Sequence, residues 1–249
     1  MVRQWVVMVI SFATGVLALS VCAEGTSVSW NGSSGLLPWD PSIPSNNLFT
    51  VTGPTSDITL VNDYLHIDTQ HKINVRKTDC PTVNASDWRA VDIELRMNSY
   101  YRNPSLNWGA GIGMANGGGY FVLLVSGDKV GFAGYNADSY IDGLYYSMDT
   151  TNAFHDYLIT DNGTYVDLFI DGNPSPRLQI PIGDFLGSTG NTLYLAGTSE
   201  SGFANFDVSS FTYTTDLATA PVPEPVTMAG VLLGVVGLSG YIHKRVHHR

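Results

Sequence analysis

Short segments in which apolar and polar residues alternate fill the chain between residues 24 and 215, and turn residues separate them. The segment RAVDIELRMN is the clearest, because Val91, Ile93, Leu95 and Met97 alternate with charged residues. A period of two places one set of side chains on a core and the other in solvent. No amphipathic helical pattern longer than two turns occurs in this region of the sequence. The pattern therefore predicts strands.

Turn residues between these segments predict hairpins. Ser-Gly-Asp at residues 126–128 separates two apolar strands, and Asn-Gly at 162–163 and Asp-Gly at 171–172 follow further along. The last strand changes phase at residues 209–210, which predicts a β-bulge. About a dozen strands in succession, with no helix-length insert, predict an all-β fold, an antiparallel two-sheet jelly-roll sandwich.

The glycine-rich segment WGAGIGMA leaves one face of a strand without side chains. Ile112 and its apolar neighbours share one face, whereas Gly109, Gly111 and Gly113 share the other. Such a face allows close approach by another group. We expect backbone or a large aromatic ring over the glycines, with a ligand as the less frequent alternative.

The N-terminus has the plan of a secretory signal peptide over residues 1–23, with a basic start, an apolar run and Ala23 before the cleavage point. A lipoprotein signal at Cys22 is the alternative, which the bulky Val21 disfavours. Cleavage after Ala23 leaves Cys80 as the only thiol, so no intramolecular disulfide is expected. We expect Cys80 to act as a small buried apolar residue.

The C-terminus combines three elements. A Pro/Ala-rich linker at 216–225 precedes an apolar segment at 226–242 and a basic tail at 243–249. The residues that define the pattern are Pro223, Glu224, Pro225, Lys244 and Arg245. This order resembles the PEP-CTERM sorting signal. The apolar run is at the lower limit for spanning a bilayer, and its glycines weaken it as a permanent helix.

The PEP-CTERM resemblance implies how the chain is delivered. Such tails are recognised by an exosortase-type processing enzyme in Gram-negative bacteria that make extracellular polysaccharide. The chain would then be held transiently in the inner membrane through residues 226–242 and released to the cell surface or the extracellular matrix. A permanently anchored surface receptor is the alternative.

The charge of the exported part argues against one class of partner. All 22 acidic residues lie between Glu24 and Glu224, together with only 8 of the 12 basic ones. Without a basic patch to displace phosphate counterions, nucleic-acid binding is not expected.

The stretch FHDYLITDNGTYVDLFIDGN resembles the concanavalin A-like lectin/glucanase (laminin G-like) superfamily. The matching residues are Phe154, His155, Gly163, Leu168, Asp171 and Gly172. Together with LHIDT, IELRM and GIGMANGGGYFVLLVSGDKVGF, the resemblance covers most of residues 27–215, within a domain that we place at 24–215. It implies a sandwich fold that occurs in lectins, glycan-cleaving enzymes and structural modules alike. The function therefore has to be inferred from the residues of the site and not from the fold.

The acid pair of a glucanase is incomplete in this sequence. Asp92 and Glu94 share a face of one strand, but their order is reversed relative to the Glu-x-Asp-x-x-Glu pattern of such enzymes, and no third acid follows. We therefore expect a solvated outer face, with a catalytic pair as the alternative.

The loop GYNADSYIDGLYYS is the best ligand candidate. It supplies flat rings for sugars and oxygens for hydroxyl groups or Ca²⁺. The candidates are Tyr135, Asn136, Asp138, Tyr140, Asp142 and Tyr145. A loop whose tyrosines pack on the sandwich edge is the more frequent alternative. No cofactor other than Ca²⁺ suggests itself, and the spacing of His66 and His71 matches no recognised metal site.

From these patterns we predict a non-catalytic exported protein that binds glycan or helps build the polysaccharide matrix. A glycoside hydrolase or polysaccharide lyase of the same fold is the alternative.

Overall fold

The computed structural model describes residues 27–45, 47–69, 71–78, 80, 89–101, 109–116, 119–133, 140–181, 192–197 and 203–215. These residues form fifteen β-strands and two single-turn 3₁₀ helices, Gly32–Ser34 and Thr55–Asp57. The strands pair in two antiparallel sheets.

One sheet has eight strands. In the order of hydrogen bonding it contains β13 (Leu178–Pro181), β12 (Tyr165–Ile170), β11 (His155–Asp161), β6 (Arg89–Tyr101), β15 (Phe203–Thr215), β4 (Tyr64–Thr69) and β3 (Ile58–Val61). The strand β1 (Ser27–Asn31) pairs with the C-terminal half of β15.

The other sheet has seven strands. In order it contains β10 (Tyr140–Ser147), β9 (Lys129–Ala133), β8 (Gly119–Val125), β7 (Ala110–Asn116), β14 (Thr192–Gly197), β5 (Asn74–Thr78) and β2 (Thr50–Thr52).

The inner faces of the two sheets form one apolar core. The predicted strand RAVDIELRMN is β6, and Val91, Ile93, Leu95 and Met97 are at most 1% exposed. Cys80 also lies in this core, as predicted. The fold is therefore an all-β arrangement of two antiparallel sheets, consistent with a jelly-roll sandwich.

The predicted turns occur where the sequence places them. Gly163 has a φ of 78° between β11 and β12, and Asp171 and Gly172 have φ values of 53° and 64° after β12. The register of β15 against β6 shifts between Val208 and Ser210, which confirms the predicted bulge.

In the described part of the chain, no helix is long and apolar enough to cross a membrane. The predicted signal peptide, linker, apolar segment and basic tail all lie outside that part, so they stay predictions.

Candidate functional site

The outer face of the seven-stranded sheet is turned away from the core. On β7 this face carries Gly111 and Gly113, which we call the glycine floor. Gly113 pairs with Tyr194 of β14, and a Cβ built on Gly113 would lie 3.5 Å from Cδ2 of that ring and 2.9 Å from the Phe121 carbonyl oxygen. The expectation of backbone or a large aromatic ring close to the glycines is therefore confirmed at Gly113, where both are present.

The other end of this outer face carries an exposed aromatic ring. Tyr145 of β10 pairs with Gly131 of β9, and its side chain is 47% exposed. The ammonium group of Lys129 lies 5.0 Å from the centroid of the Tyr145 ring, within the range of a cation–π contact. Among the described residues, only Tyr145 and Tyr165 are large hydrophobic residues with such exposure.

An apolar strip separates the two tyrosines. Val122, Leu124 and Ala133 form a small buried cluster apart from the main core. Beyond Tyr194, Arg76 of β5 occupies the paired position, and its Nε is buried without a hydrogen-bond partner in the described part of the chain. One end of this outer face therefore carries Tyr145 with Lys129, and the other carries Tyr194 with Arg76.

Tyr145 is the one predicted glycan-binding residue whose side chain the structure describes. The prediction of a loop is wrong for residues 140–147, which form β10; Tyr140 and Asp142 lie on this strand, with side chains outside the description. Tyr135, Asn136 and Asp138 lie outside the described residues, as do the sorting-signal residues Pro223, Glu224, Pro225, Lys244 and Arg245.

The outer face of the eight-stranded sheet carries the predicted acid pair and a third acid. Asp92 and Glu94 both face outward on β6, and Asp156 of β11 is paired with Glu94. The pKa of Asp156 is raised to about 7, first by burial, then by a hydrogen bond with Asp92 and by repulsion from Asp92 and Asp171. Ser209 donates a hydrogen bond to Glu94 Oε2. The acid that partners Asp92 is therefore Asp156.

A buried carboxylate lies beside these acids. Asp207 of β15 is 1% exposed and accepts hydrogen bonds from Nδ1 of His66 at 2.6 Å and from Nη2 of Arg96 at 2.5 Å. The Arg96 guanidinium lies 4.7 Å from the Phe154 ring centroid and 6.0 Å from that of Tyr64. Since the guanidinium is fixed by a carboxylate and two rings, this cluster ties three strands together.

The other two histidines in the described part of the chain, His71 and His155, also have carboxylate partners. Nδ1 of His71 lies 2.9 Å from Asp57, and Nδ1 of His155 lies 2.9 Å from Asp171. Through Asp171, the His155 ring joins the start of β11 to the turn after β12. Its Nε2 is also 3.0 Å from the Asp149 carbonyl oxygen, in the segment before β11. No group of three or more His, Cys, Asp or Glu side chains that could hold a metal occurs among the described residues.

The sequence analysis missed Asp156, Lys129 and Arg76 as site residues. Each has a sequence signal, because an apolar core residue stands next to it in its strand, which assigns its own side chain to the opposite, outer face. This signal does not reveal which residues of neighbouring strands lie beside Asp156, Lys129 or Arg76.

Neither a protein-family model nor a curated protein matches the sequence. Solved structures do match. The carbohydrate recognition domain of Emp47p has 11% identity and a TM-score of 0.50, with 80% of this chain and 100% of that chain covered. The carbohydrate esterase vb_24B_21 from Shiga toxin-encoding bacteriophage phi24B has 9% identity and a TM-score of 0.52, with coverages of 77% and 99%.

The binding domain of botulinum neurotoxin DC in complex with SialylT has 15% identity and a TM-score of 0.51, and 78% of this chain matches 48% of that chain. This chain thus spans about half the length of the neurotoxin binding domains that it matches. At such identities the likeness concerns the fold alone. The solved structures that this chain resembles are concanavalin A-like lectin/glucanase folds, as the sequence pattern predicts.

Proposed function

We propose that this chain is an exported, non-catalytic β-sandwich protein that binds glycan at the cell surface or in the polysaccharide matrix of a Gram-negative bacterium. The observation that carries the proposal is the ring of Tyr145, which is 47% exposed on the outer face of the seven-stranded sheet beside Lys129.

The physical reason lies in the chemistry of the ring. A tyrosine offers a flat apolar face and a polar hydroxyl group, which together suit the apolar and hydroxyl-bearing sides of a sugar. Because Tyr145 is 47% exposed, a ligand can reach its ring. Tyr135, Asn136, Asp138, Tyr140 and Asp142 belong to the same proposed site, with Ca²⁺ as the only cofactor that we consider.

The comparisons support the proposal at the level of the fold. Two of the similar structures are named as a carbohydrate recognition domain and a carbohydrate esterase. The same architecture therefore serves proteins that handle carbohydrate.

Binding is tested by pull-down of the full-length protein, in mild detergent, on a panel of insoluble polysaccharides with and without Ca²⁺. We expect Tyr145→Ala to reduce the affinity about tenfold, since the loss of one stacked ring is of the order of 1.4 kcal/mol. Tyr165→Ala is the matched control, because Tyr165 is 38% exposed on the eight-stranded sheet. Binding of equal strength to every polysaccharide of the panel, with and without Ca²⁺, would leave only a structural role in the matrix.

Delivery by an exosortase-type enzyme is the second part of the proposal. It rests on Pro223, Glu224 and Pro225, the apolar segment 226–242, and Lys244 with Arg245. The intact mass of the mature protein tests it, because processing removes the C-terminal residues. A mature protein that retains His247 and His248 would instead be the permanently anchored surface receptor.

Glycan cleavage is the second candidate function, and Asp156 is the observation that favours it. A carboxyl group with a pKa near 7 can serve as a general acid at neutral pH, and the carboxyl groups of Asp92 and Glu94 lie beside it. Reducing-end release from a polysaccharide panel, abolished by both Glu94→Gln and Asp156→Asn, would replace the binding proposal with an enzyme.

A further inference from the structure

The charged residues of the strands are divided unequally between the two sheets. The strands of the eight-stranded sheet contain two arginines and seven carboxylates, namely Asp68, Asp92, Glu94, Asp156, Asp161, Asp167 and Asp207. The strands of the seven-stranded sheet contain three cations, Arg76, Lys77 and Lys129, and one carboxylate, Asp142. In a chain with a net charge of −10, this sheet alone carries more cations than carboxylates in its strands.

Two of these cations belong to the outer face. Lys129 and Arg76 alternate along their strands with the buried residues Val130 and Val75, so both point away from the core. Lys77 has another role, because its Nζ lies 3.4 Å from the backbone carbonyl oxygens of residues 45 and 48.

Each outer cation is placed with an aromatic ring. The Lys129 ammonium lies 5.0 Å from the Tyr145 ring centroid, and Arg76 is the cross-strand partner of Tyr194. Five strand spacings separate Tyr145 from Arg76, or about 24 Å at the usual distance between strands. Val122, Leu124 and Ala133, which lie between them on this face, are at most 8% exposed, so the two cations are separate points of contact and not the ends of one open groove.

We infer that the glycan bound at this face is anionic, with carboxylate or sulfate groups on its sugars. A sugar stacked on Tyr145 would place such a group within reach of the Lys129 ammonium. Arg76, whose planar guanidinium suits both carboxylate and sulfate, offers a second and separate contact for an anionic sugar near the other end of this face. The exposed carboxylates of the opposite sheet, Asp68 and Asp92, repel the same polymer, so we expect the seven-stranded sheet to be the face that engages it. This inference rests on the proposed glycan-binding function.

The test compares polymers that differ only in charge. Full-length protein in mild detergent is measured by biolayer interferometry on polygalacturonate against its methyl ester, and on dextran sulfate against dextran. We expect binding to one or both charged polymers at least tenfold tighter than to the neutral partner. That preference should shrink several-fold between 50 and 300 mM NaCl, because salt screens exposed charges. The two charged arms distinguish a carboxylate from a sulfate ligand.

A matched pair of variants tests whether Lys129 provides the preference for the charged polymer. Lys129→Gln should weaken binding to the charged polymer about fivefold and leave binding to the neutral one unchanged. Lys72→Gln removes the same charge from the exposed loop between β4 and β5 and should change neither.

The outcomes separate this inference from the function on which it rests. Equal, salt-independent binding to charged and neutral polymers, still lost in Tyr145→Ala, overturns the anionic specificity and keeps the glycan-binding function. Equal losses in Lys129→Gln and Lys72→Gln also overturn it, because the effect would then come from net charge. Absence of binding to all four polymers and to the wider polysaccharide panel overturns both.

Discussion

Asp156 and Asp92 are diagonal neighbours on two paired strands of the eight-stranded sheet, and their carboxyl groups are close enough to share a hydrogen bond. One of the two must hold a proton for this contact to form, and the raised pKa of Asp156, about 7, assigns it there. The native state therefore binds a proton between pH 4 and 7 that the unfolded chain, with a pKa of 3.8 at this residue, has lost. Linkage then requires that stability falls as the pH rises through this window.

We predict that Asp156→Asn flattens this pH dependence. The amide has no charge to lose, so above pH 7 the variant should be more stable than the wild type by about 1 to 2 kcal/mol, a value reduced for solvent screening at this half-buried residue. At pH 4 the two proteins should have nearly equal stability. Urea denaturation at pH 4.5, 6 and 8 measures the difference.

Asp68→Asn is the control for the acid pair, because Asp68 is an exposed carboxylate on the same face. It should shift the free energy of unfolding by less than about 0.5 kcal/mol at each pH. An Asp156→Asn profile parallel to that of the wild type would show that the two carboxyl groups do not share a proton.

A second prediction concerns the buried carboxylate of Asp207. Asp207→Ala leaves Arg96 without its counter-ion and His66 without its hydrogen-bond partner, and we expect a loss of about 2 to 3 kcal/mol in the free energy of unfolding. Asn205→Ala is the control, since it breaks only the exposed 2.9 Å amide contact with Asn98 and should cost less than about 1 kcal/mol. Equal losses in the two variants, measured by urea denaturation, would contradict a structural role for the cluster.

The alternating pattern predicts the face of a side chain but not its neighbours. It places Val91 and Ile93 in the core and Asp92 outside, because period two is a local property of the strand. The contact of Asp92 with Asp156 depends on the register between β6 and β11, which the pattern does not fix. For the same reason His66 and Asp207, which are 141 positions apart, could not be paired from the sequence.

The glycine floor illustrates the same limit at the candidate site. The bare face of β7 predicts close approach by another group, and Gly113 confirms it. That the ring is Tyr194 follows only from the pairing of β7 with β14, which are distant in the chain. The sequence names Tyr145 as a ligand candidate by residue type alone, whereas its 47% exposure and its contact with Lys129 follow from the pairing of β10 with β9.

A third prediction concerns the buried ion pair between Arg89 and Asp161, which are 2% and 3% exposed and separated by 2.5 Å. Burial raises the pKa of Asp161 although Arg89 acts to lower it, and Nε and Nη1 of Arg89 have no hydrogen-bond partner in the described part of the chain. Desolvation therefore offsets much of the attraction. Arg89→Met alone should cost about 3 kcal/mol, because it leaves a buried carboxylate unpaired.

The double variant Arg89→Met/Asp161→Asn completes this test. The amide that replaces the Asp161 carboxylate would keep an oxygen for the 2.8 Å hydrogen bond from the Gly163 amide without a buried charge. The double variant should then be at least about 2 kcal/mol more stable than the sum of the two single changes predicts. Additive costs in a urea-denaturation cycle would mean that the two charges are not coupled.

The last prediction concerns the close approach at Gly113. In Gly113→Ala the new Cβ would lie 2.9 Å from the Phe121 carbonyl oxygen and 3.2 Å from Val122 Cγ2. The carbonyl belongs to the partner strand, so it cannot withdraw without disturbing the pairing of β7 with β8. We expect a loss of about 2 to 3 kcal/mol in the free energy of unfolding.

Gly35→Ala separates this steric cost from the cost of a strained backbone. Gly35 has a φ of 71° and nothing within 4 Å of its built Cβ, so its substitution should cost only about 1 kcal/mol. Because Tyr194 lies over Gly113, the Gly113→Ala variant should also weaken binding at the outer face of the seven-stranded sheet, whereas Gly35→Ala should not. Equal losses of stability in the two variants would show that the close contacts at Gly113 cost no more than a strained backbone at an open position, and that the glycine is not required for the approach of the neighbouring strand.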